Sequence, residues 1–146
     1  MIRKINENDK EQYMVFTDHF YHSEAVEHPV PDEFREATWA ELMRSDEYLE
    51  CFFIEEDGIA KGFLLLAYTF SQEAGGKVCW IEEIFVEPEY RGRGLGKQCF
   101  DFIKSNIEPQ CSRIRLEVEP DNLRAKKLYK EMGYRSLPYE QMLKGF

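Results

Sequence analysis

Apolar and polar positions along this chain change period several times, and each change marks an element. The clearest strand signal is residues 78–86, an aromatic and β-branched run halted by Pro88. Directly downstream the period lengthens. Leu95, Cys99, Phe102 and Ile103 recur at helical spacing, with Lys97, Gln98, Asp101 and Lys104 on the other side. A helix is therefore predicted from Leu95 to about residues 106–109.

The other elements follow in the same way. Residues 1–5 alternate apolar and basic positions and predict a short strand. Asn6 or Asn8 can cap a helix reaching about Tyr21, with Tyr13, Met14, Phe16, Thr17 and Phe20 on its apolar face. After a Pro-containing loop, Asp32 opens a second helix ending near Ser45 and Asp46. Its buried side is expected to carry Phe34, Thr38, Trp39 and either Leu42 or Met43. Residues 49–55 and 59–71 read as strands joined by an Asp57-Gly58 hairpin turn. Leu64-Leu65-Leu66 implies burial on both faces, hence a central strand. Residues 77–86 form the next strand and 113–118 another. Asn122 starts a helix with Ala125, Leu128, Tyr129 and Met132 on one face, stopped at Gly133. Residues 134–136 and 139–143 read as two closing strands. The order is β-α-α-β-β-β-α-β-α-β-β. This predicts an α/β (α+β) fold, with one mixed, mostly antiparallel central sheet and helices on both faces.

Composition narrows the choices. A chain of 146 residues, 43% hydrophobic and 32% charged, is expected to form one domain over 1–146. A net charge of -9 argues against nucleic-acid binding and suits a cationic partner. Cys51, Cys79, Cys99 and Cys111 are scattered, with no metal-ligand spacing to His19, His22 or His28, so no metal is expected. The start of the chain shows no signal-peptide pattern, and the longest apolar run, 62–68, is too short to span a bilayer. A cytoplasmic protein is expected, with no membrane partner.

The candidate chemistry lies between the 78–86 strand and its helix. Arg91-Gly92-Arg93-Gly94-Leu95-Gly96 places three glycines before and inside a helix start. Glycine permits positive φ and close approach of a ligand to main-chain N–H groups. Those N–H groups, with the positive end of the helix dipole, suit a phosphate or pyrophosphate. Arg91, Arg93 and Lys97 add positive charge. A P-loop is excluded, because Gly96-Lys97 is followed by Gln98 and Arg91 stands in the first glycine's place. A dinucleotide fingerprint is excluded too, because Lys97 takes the third glycine's place.

What remains is Arg-x-x-Gly-x-Gly after a strand. It resembles the acyl-coenzyme-A signature of the GNAT superfamily, the general N-acetyltransferases. A second stretch, Asn122-Leu123-Arg124-Ala125-Lys126-Lys127-Leu128-Tyr129-Lys130-Glu131-Met132-Gly133-Tyr134, is similar to that family's Asn-x-x-Ala-x-x-Leu-Tyr-x-x-x-Gly-aromatic motif. The two motifs cover the C-terminal half; the N-terminal half resembles the family only in element order. The resemblance implies acetyl-CoA as acyl-donor cosubstrate and a primary amine as acceptor, attacking the thioester directly. It also implies that the strands flanking the glycine-loop helix splay apart around the cofactor.

It further implies residue roles. Phe85 and Val86 would offer backbone groups to the pantetheine arm, with the Val86 N–H a donor for the thioester carbonyl. Arg91 through Lys97, including Leu95, would hold the diphosphate. Asn122 would bond the pantetheine arm, and Tyr129 would protonate the departing sulfur. Glu82 and Glu83 are the base candidates. Their side chains point to opposite faces of a regular strand, so one faces the acceptor, unless a bulge reorders them. The offset from Arg91 favours Glu82, by likeness to polyamine-type acetyltransferases.

For the acceptor side, the region of the first two helices is acidic: Glu24, Glu27, Asp32, Glu33, Glu36, Glu41, Asp46, Glu47 and Glu50, against Arg35 and Arg44. Tyr21, Phe34, Trp39 and Tyr48 are interleaved. Carboxylates with aromatic faces suit a cation, so the expected acceptor is a polyamine, an aminoglycoside or a basic peptide. The closing strands also offer a way to pair across a homodimer. The competing reading is a non-catalytic acyl-CoA-binding or regulatory module of the same fold.

Overall fold

In the computed structural model residues 1–26 and 28–145 are described; Glu27, part of the expected acidic wall, lies outside them. The chain groups into two compact units, Met1–Leu116 and Glu117–Phe146.

The first unit is built on five strands: β1 (Ile2–Lys4), β2 (Leu49–Glu56), β3 (Ile59–Ser71), β4 (Gly76–Val86) and β5 (Arg113–Leu116). They lie side by side in the order β1-β2-β3-β4-β5. Neighbours run antiparallel except β4 and β5, which are parallel. Asp57 and Gly58 turn β2 into β3 with φ of 54° and 73°, the left-handed pair that a two-residue I′ hairpin requires. β3 is central, and Leu64, Leu65 and Leu66 are all buried.

Period-2 alternation divides the strands between two helical layers. Cys51, Phe53, Phe63, Leu65 and Phe85 face α1 (Lys10–Tyr21) and α2 (Asp32–Arg44), meeting Tyr13, Phe16, Phe20, Trp39 and Leu42. The Phe16 and Phe53 rings meet edge-on at 5.4 Å. Each such buried ring contributes about 1.5–3 kcal/mol. Phe52 and Ile54 face the opposite side. There Ile54 packs with Leu95 and Cys99 of α3 (Leu95–Phe102), and Phe52 with Phe102 at 4.8 Å. Beyond α3 the chain stays helical through a π turn (Ile103–Ile107) and a 3₁₀ turn (Glu108–Gln110). Asn6 caps the entry to α1. Its side chain accepts from the Asn8 N–H, while its own N–H donates to Asp9 at 2.7 Å.

In α2 the buried side departs from expectation. Phe34 is 62% exposed and Arg35 is buried in its place. The guanidinium donates to the Met14 carbonyl at 2.7 Å and to Asp32 at 2.6 Å. Its apolar stem can therefore be buried while its charge is satisfied. Leu42, not Met43, faces the core.

The second unit carries α4 (Leu123–Glu131), capped by the Asn122 side chain, which accepts from the Ala125 N–H at 3.1 Å. Gly133, at φ 92°, ends it. The Gly133 N–H donates to the Lys130 carbonyl and the Tyr134 N–H to that of Tyr129, a Schellman closure. The two closing strands are not formed: 134–145 contain no strand, and Tyr139, Met142 and Leu143 are exposed. A strand persists only through its ladder, and this segment is broken by Pro138 and shows no sustained alternation. The elements invoked for homodimer pairing are therefore missing from the described residues.

At Gly62 the backbone of β4 leaves no room for a side chain on β3. A Cβ there would lie 2.0 Å from the Phe85 carbonyl oxygen, so the backbone itself would have to move. Gly62→Ala should cost about 1–3 kcal/mol or more in urea unfolding. A loss below about 0.5 kcal/mol would contradict this packing.

Candidate active site

The site starts from an incomplete ladder. β4 pairs with β3 from Gly76 to Val86, but with β5 only from Val78 to Ile81. Among the described residues, 82–86 therefore have a strand neighbour on one side alone. The Glu87 N–H donates to the Lys61 carbonyl at 2.9 Å. In an antiparallel ladder, bonded and non-bonded pairs alternate. The pairs Gly62–Val86 and Leu64–Ile84 are thus the non-bonded ones, and the N–H and C=O groups of Ile84 and Val86 point away from β3. The Val86 carbonyl accepts from Arg91 Nε at 2.8 Å. The Val86 N–H faces the same open edge.

Next to that edge stands the start of α3. Gly92 and Gly94 have φ of 77° and 81°, positions that a side chain would strain. Gly94 caps α3 without a side-chain bond, and the first turn holds no acidic residue. The Gln98 N–H reaches the Gly94 carbonyl at 3.0 Å. The N–H groups of Leu95, Gly96 and Lys97 precede that bond and have no carbonyl of the helix to reach. A Cβ on Gly96 would touch nothing within 4 Å, so the protein's own packing does not demand glycine there. Strand edge and helix start share a cleft of about 370 Å³, whose lining includes Ile84, Phe85, Val86, Arg91, Gly92, Gly94, Leu95 and Gly96. Tyr90 lines it too, as do Phe20, Ser23 and Ala25, at and beyond the end of α1; from the sequence Phe20 is placed only on that helix's apolar face. Arg93 and Lys97 lie outside the lining. Arg93 reaches Glu56 at 3.4 Å, and Lys97 pairs with Asp101 at 2.7 Å.

The two carboxylates are separated by a bulge. Leu65 pairs with Glu83 and Leu66 with Ile81, which leaves Glu82 as the extra residue of β4. Glu82 is exposed, whereas Glu83 is half-buried on the face that carries Leu65. The hydroxyl of Tyr21, the last residue of α1, donates to Glu83 Oε1. Burial pushes the Glu83 carboxyl up to about 7; the bond from Tyr21 opposes this and the charge of Glu82 adds to it. The fold thus gives the two glutamates different environments, and the buried one is the residue that the offset from Arg91 did not favour. Tyr21, 62 residues upstream of Glu83, reads in the sequence only as an aromatic of the acidic wall. No periodicity reports a contact at that separation.

Asn122 and Tyr129 belong to the second unit. Asn122 is the α4 cap. The Tyr129 ring meets Tyr134 edge-on at 6.1 Å, and burial raises its phenol above the ordinary value. The acidic wall is largely paired: Asp32 with Arg35, Glu36 with Lys10, Glu41 and Glu47 with Arg44, Asp46 and Glu50 with Lys4. Trp39 is part of the core rather than of a surface. Among the described residues, no three His, Cys, Asp or Glu converge on a metal position, and no helix is long and apolar enough to cross a membrane.

A family model described as acetyltransferase (GNAT) family matches residues 11–134. Over 77 residues the chain is 35% identical to the thialysine N-epsilon-acetyltransferase of Bos taurus, covering 52% of this chain and 45% of that protein. The match thus spans less than half of that relative. The aminoglycoside N(6')-acetyltransferase type 1 of Salmonella typhimurium is 27% identical over 108 residues, 71% of this chain and 74% of that one. Among solved structures, the aminoglycoside acetyltransferase AAC(6')-Iy bound to a CoA bisubstrate analogue superimposes with a TM-score of 0.79. It is 21% identical and covers 100% of this chain and 97% of its own. At that identity the likeness concerns the fold.

A carboxyl whose folded pKa exceeds its unfolded one loses stability as pH rises through the interval between them, here about 4.5 to 7. Glu83→Gln removes the ionisation. In urea unfolding, the stability difference between variant and wild type should therefore shift toward the variant from about pH 5 to about pH 8. A difference independent of pH would contradict the raised carboxyl.

Proposed function

This chain belongs to the acetyltransferase (GNAT) family, and from that premise we propose that it transfers an acetyl group from acetyl-CoA to a primary amine. The observation that carries the proposal is the meeting of an unpaired strand edge with an uncapped helix start in one cleft. An extended amide chain satisfies a strand edge as another strand would. A diphosphate satisfies the N–H groups of a helix start. The pantetheine and diphosphate of coenzyme A combine these two features in one molecule, and the open space at Gly96 suits close approach of the second.

When bound, the thioester supplies the acetyl group. The remaining tasks fall to the chain's own residues. The N–H groups of Leu95, Gly96 and Lys97 hold the diphosphate, and Arg91, already bonded to the Val86 carbonyl, braces the loop. The Val86 N–H donates to the thioester carbonyl oxygen, where negative charge grows. Glu83 removes the proton that keeps the amine from attacking. A base working near neutral pH needs a pKa in that range, which burial provides. Tyr129 gives its phenol proton to the leaving sulfur, and its raised pKa keeps that proton in place until then. Asn122 bonds the pantetheine arm through groups that the helix cap leaves available.

The acceptor we favour is a small cationic amine of the thialysine, polyamine or aminoglycoside type. Two of the relatives described above carry names of this kind, and the net charge of -9 favours approach of a cation. The acidic wall, largely ion-paired, supplies less free charge than the sequence suggests, so recognition is assigned to the cleft end of α1 and to Glu82 and Glu83.

Purified protein offered thialysine, spermidine, an aminoglycoside and a lysine peptide with acetyl-CoA should release free thiol with at least one. Gly96→Ala should weaken acetyl-CoA binding at least about tenfold, or about 1.4 kcal/mol, without lowering the unfolding midpoint. Tyr129→Phe should reduce kcat by about 10²-fold with acetyl-CoA affinity retained. Calorimetry showing no binding of acetyl-CoA or CoA by the wild type would refute the proposal. Binding without acetylation of any amine would instead support a non-catalytic acyl-CoA module.

A further inference from the structure

We infer that Tyr21 is a positioning residue for the proton acceptor, holding Glu83 in one orientation so that a single carboxylate oxygen is left for the incoming amine. This rests on the reading of Glu83 as base given above. The Tyr21 hydroxyl donates to Glu83 Oε1, which leaves Oε2 for a proton. The phenol is itself held in place. Tyr21 ends α1, and its ring packs edge-on against Phe20 at 5.0 Å. Phe20 in turn meets Phe63 of β3 and Phe85 of β4 and lines the cleft. Tyr21 thus ties the end of α1 to the strand that carries Glu83.

The same bond moderates the basicity of Glu83. A donor to the charged form favours ionisation, against the burial that opposes it. Among the described residues, Tyr13 of α1, Cys51 of β2 and Glu82 of β4 also interact with this carboxyl. Burial keeps Tyr13 and Cys51 protonated and neutral, so they do not stabilise the carboxylate by charge. Arg35 of α2 acts on Tyr13, and Glu82 works against ionisation of Glu83. Tyr21 is therefore the neighbour that keeps a half-buried carboxyl ready to accept a proton near neutral pH. Without it, the carboxyl would be both freer to turn and harder to ionise.

Carbon-13 NMR of carboxyl-labelled glutamate follows Glu83 directly, with Glu83→Gln to identify its signal. Tyr21→Phe keeps the ring and removes the donor. The Glu83 midpoint should rise by about one pH unit, the loss expected for one hydrogen bond to a charged group. The acid limb of kcat/KM for thialysine acetylation should rise with it, and the high-pH plateau should fall several-fold. Replacing Tyr21 by 3-fluorotyrosine, a stronger donor of the same shape, should move the midpoint the opposite way. Opposite shifts from two side chains of nearly equal volume are not expected of a purely packing role. A midpoint unchanged in both variants, or one that moves while the acid limb does not, overturns the inference. Should Glu83→Gln keep full activity and its acid limb, the base reading itself falls, whatever the midpoints do.

Discussion

A parallel ladder that stops early is the constraint from which the rest of the site follows. β5 accompanies β4 for four pairs, Val78 to Ile81, and β4 then continues alone on that side to Val86. Backbone N–H and C=O groups left this way need water, a side chain or a ligand as partner. Arg91 takes one of them, the Val86 carbonyl. The rest form an open edge, and the glycine loop leads from that edge into the start of α3.

The ladder is interrupted on the other side of β4 as well, at nearly the same point. Pairing with β5 ends at Ile81, and the residue after it, Glu82, is the one that bulges out of register with β3. The bulge makes two neighbouring glutamates chemically different. Without it, side-chain alternation alone would assign their faces; with it, Glu83 shares a face with Leu65, beneath the end of α1, and Glu82 is exposed. Burial, the Tyr21 phenol and the charge of Glu82 then act together on how readily Glu83 holds a proton. One extra residue in a strand thus gives two adjacent carboxylates different surroundings.

The glycines show two distinct uses of a missing side chain. At Gly62 the protein fills the space itself, with a neighbouring backbone too close for a methyl group. At Gly92 and Gly94 the requirement is backbone sign, since both have positive φ. Gly96 meets neither condition: its surroundings are open and its φ is not positive. A glycine kept in a helix without a packing or backbone reason lowers stability relative to alanine by about 1 kcal/mol.

Much of this was legible in the sequence. Period alone located the first five strands and the four helices, because alternation and helical spacing are local properties of a chain with one dry side. The glycine spacing located the loop and the uncapped start of α3, because positive φ and a helix start are local too. Tertiary structure decided the rest. Whether residues 139–143 form a strand depends on a partner; among the described residues they have none. Whether Phe34 or Arg35 turns inward depends on the carbonyl that α1 offers across the layer. Which glutamate is buried depends on pairing register, and its proton affinity depends on a tyrosine 62 residues away. The division has one physical cause: backbone conformation is written in neighbouring residues, whereas burial, register and hydrogen-bond partners come into being only when distant segments meet.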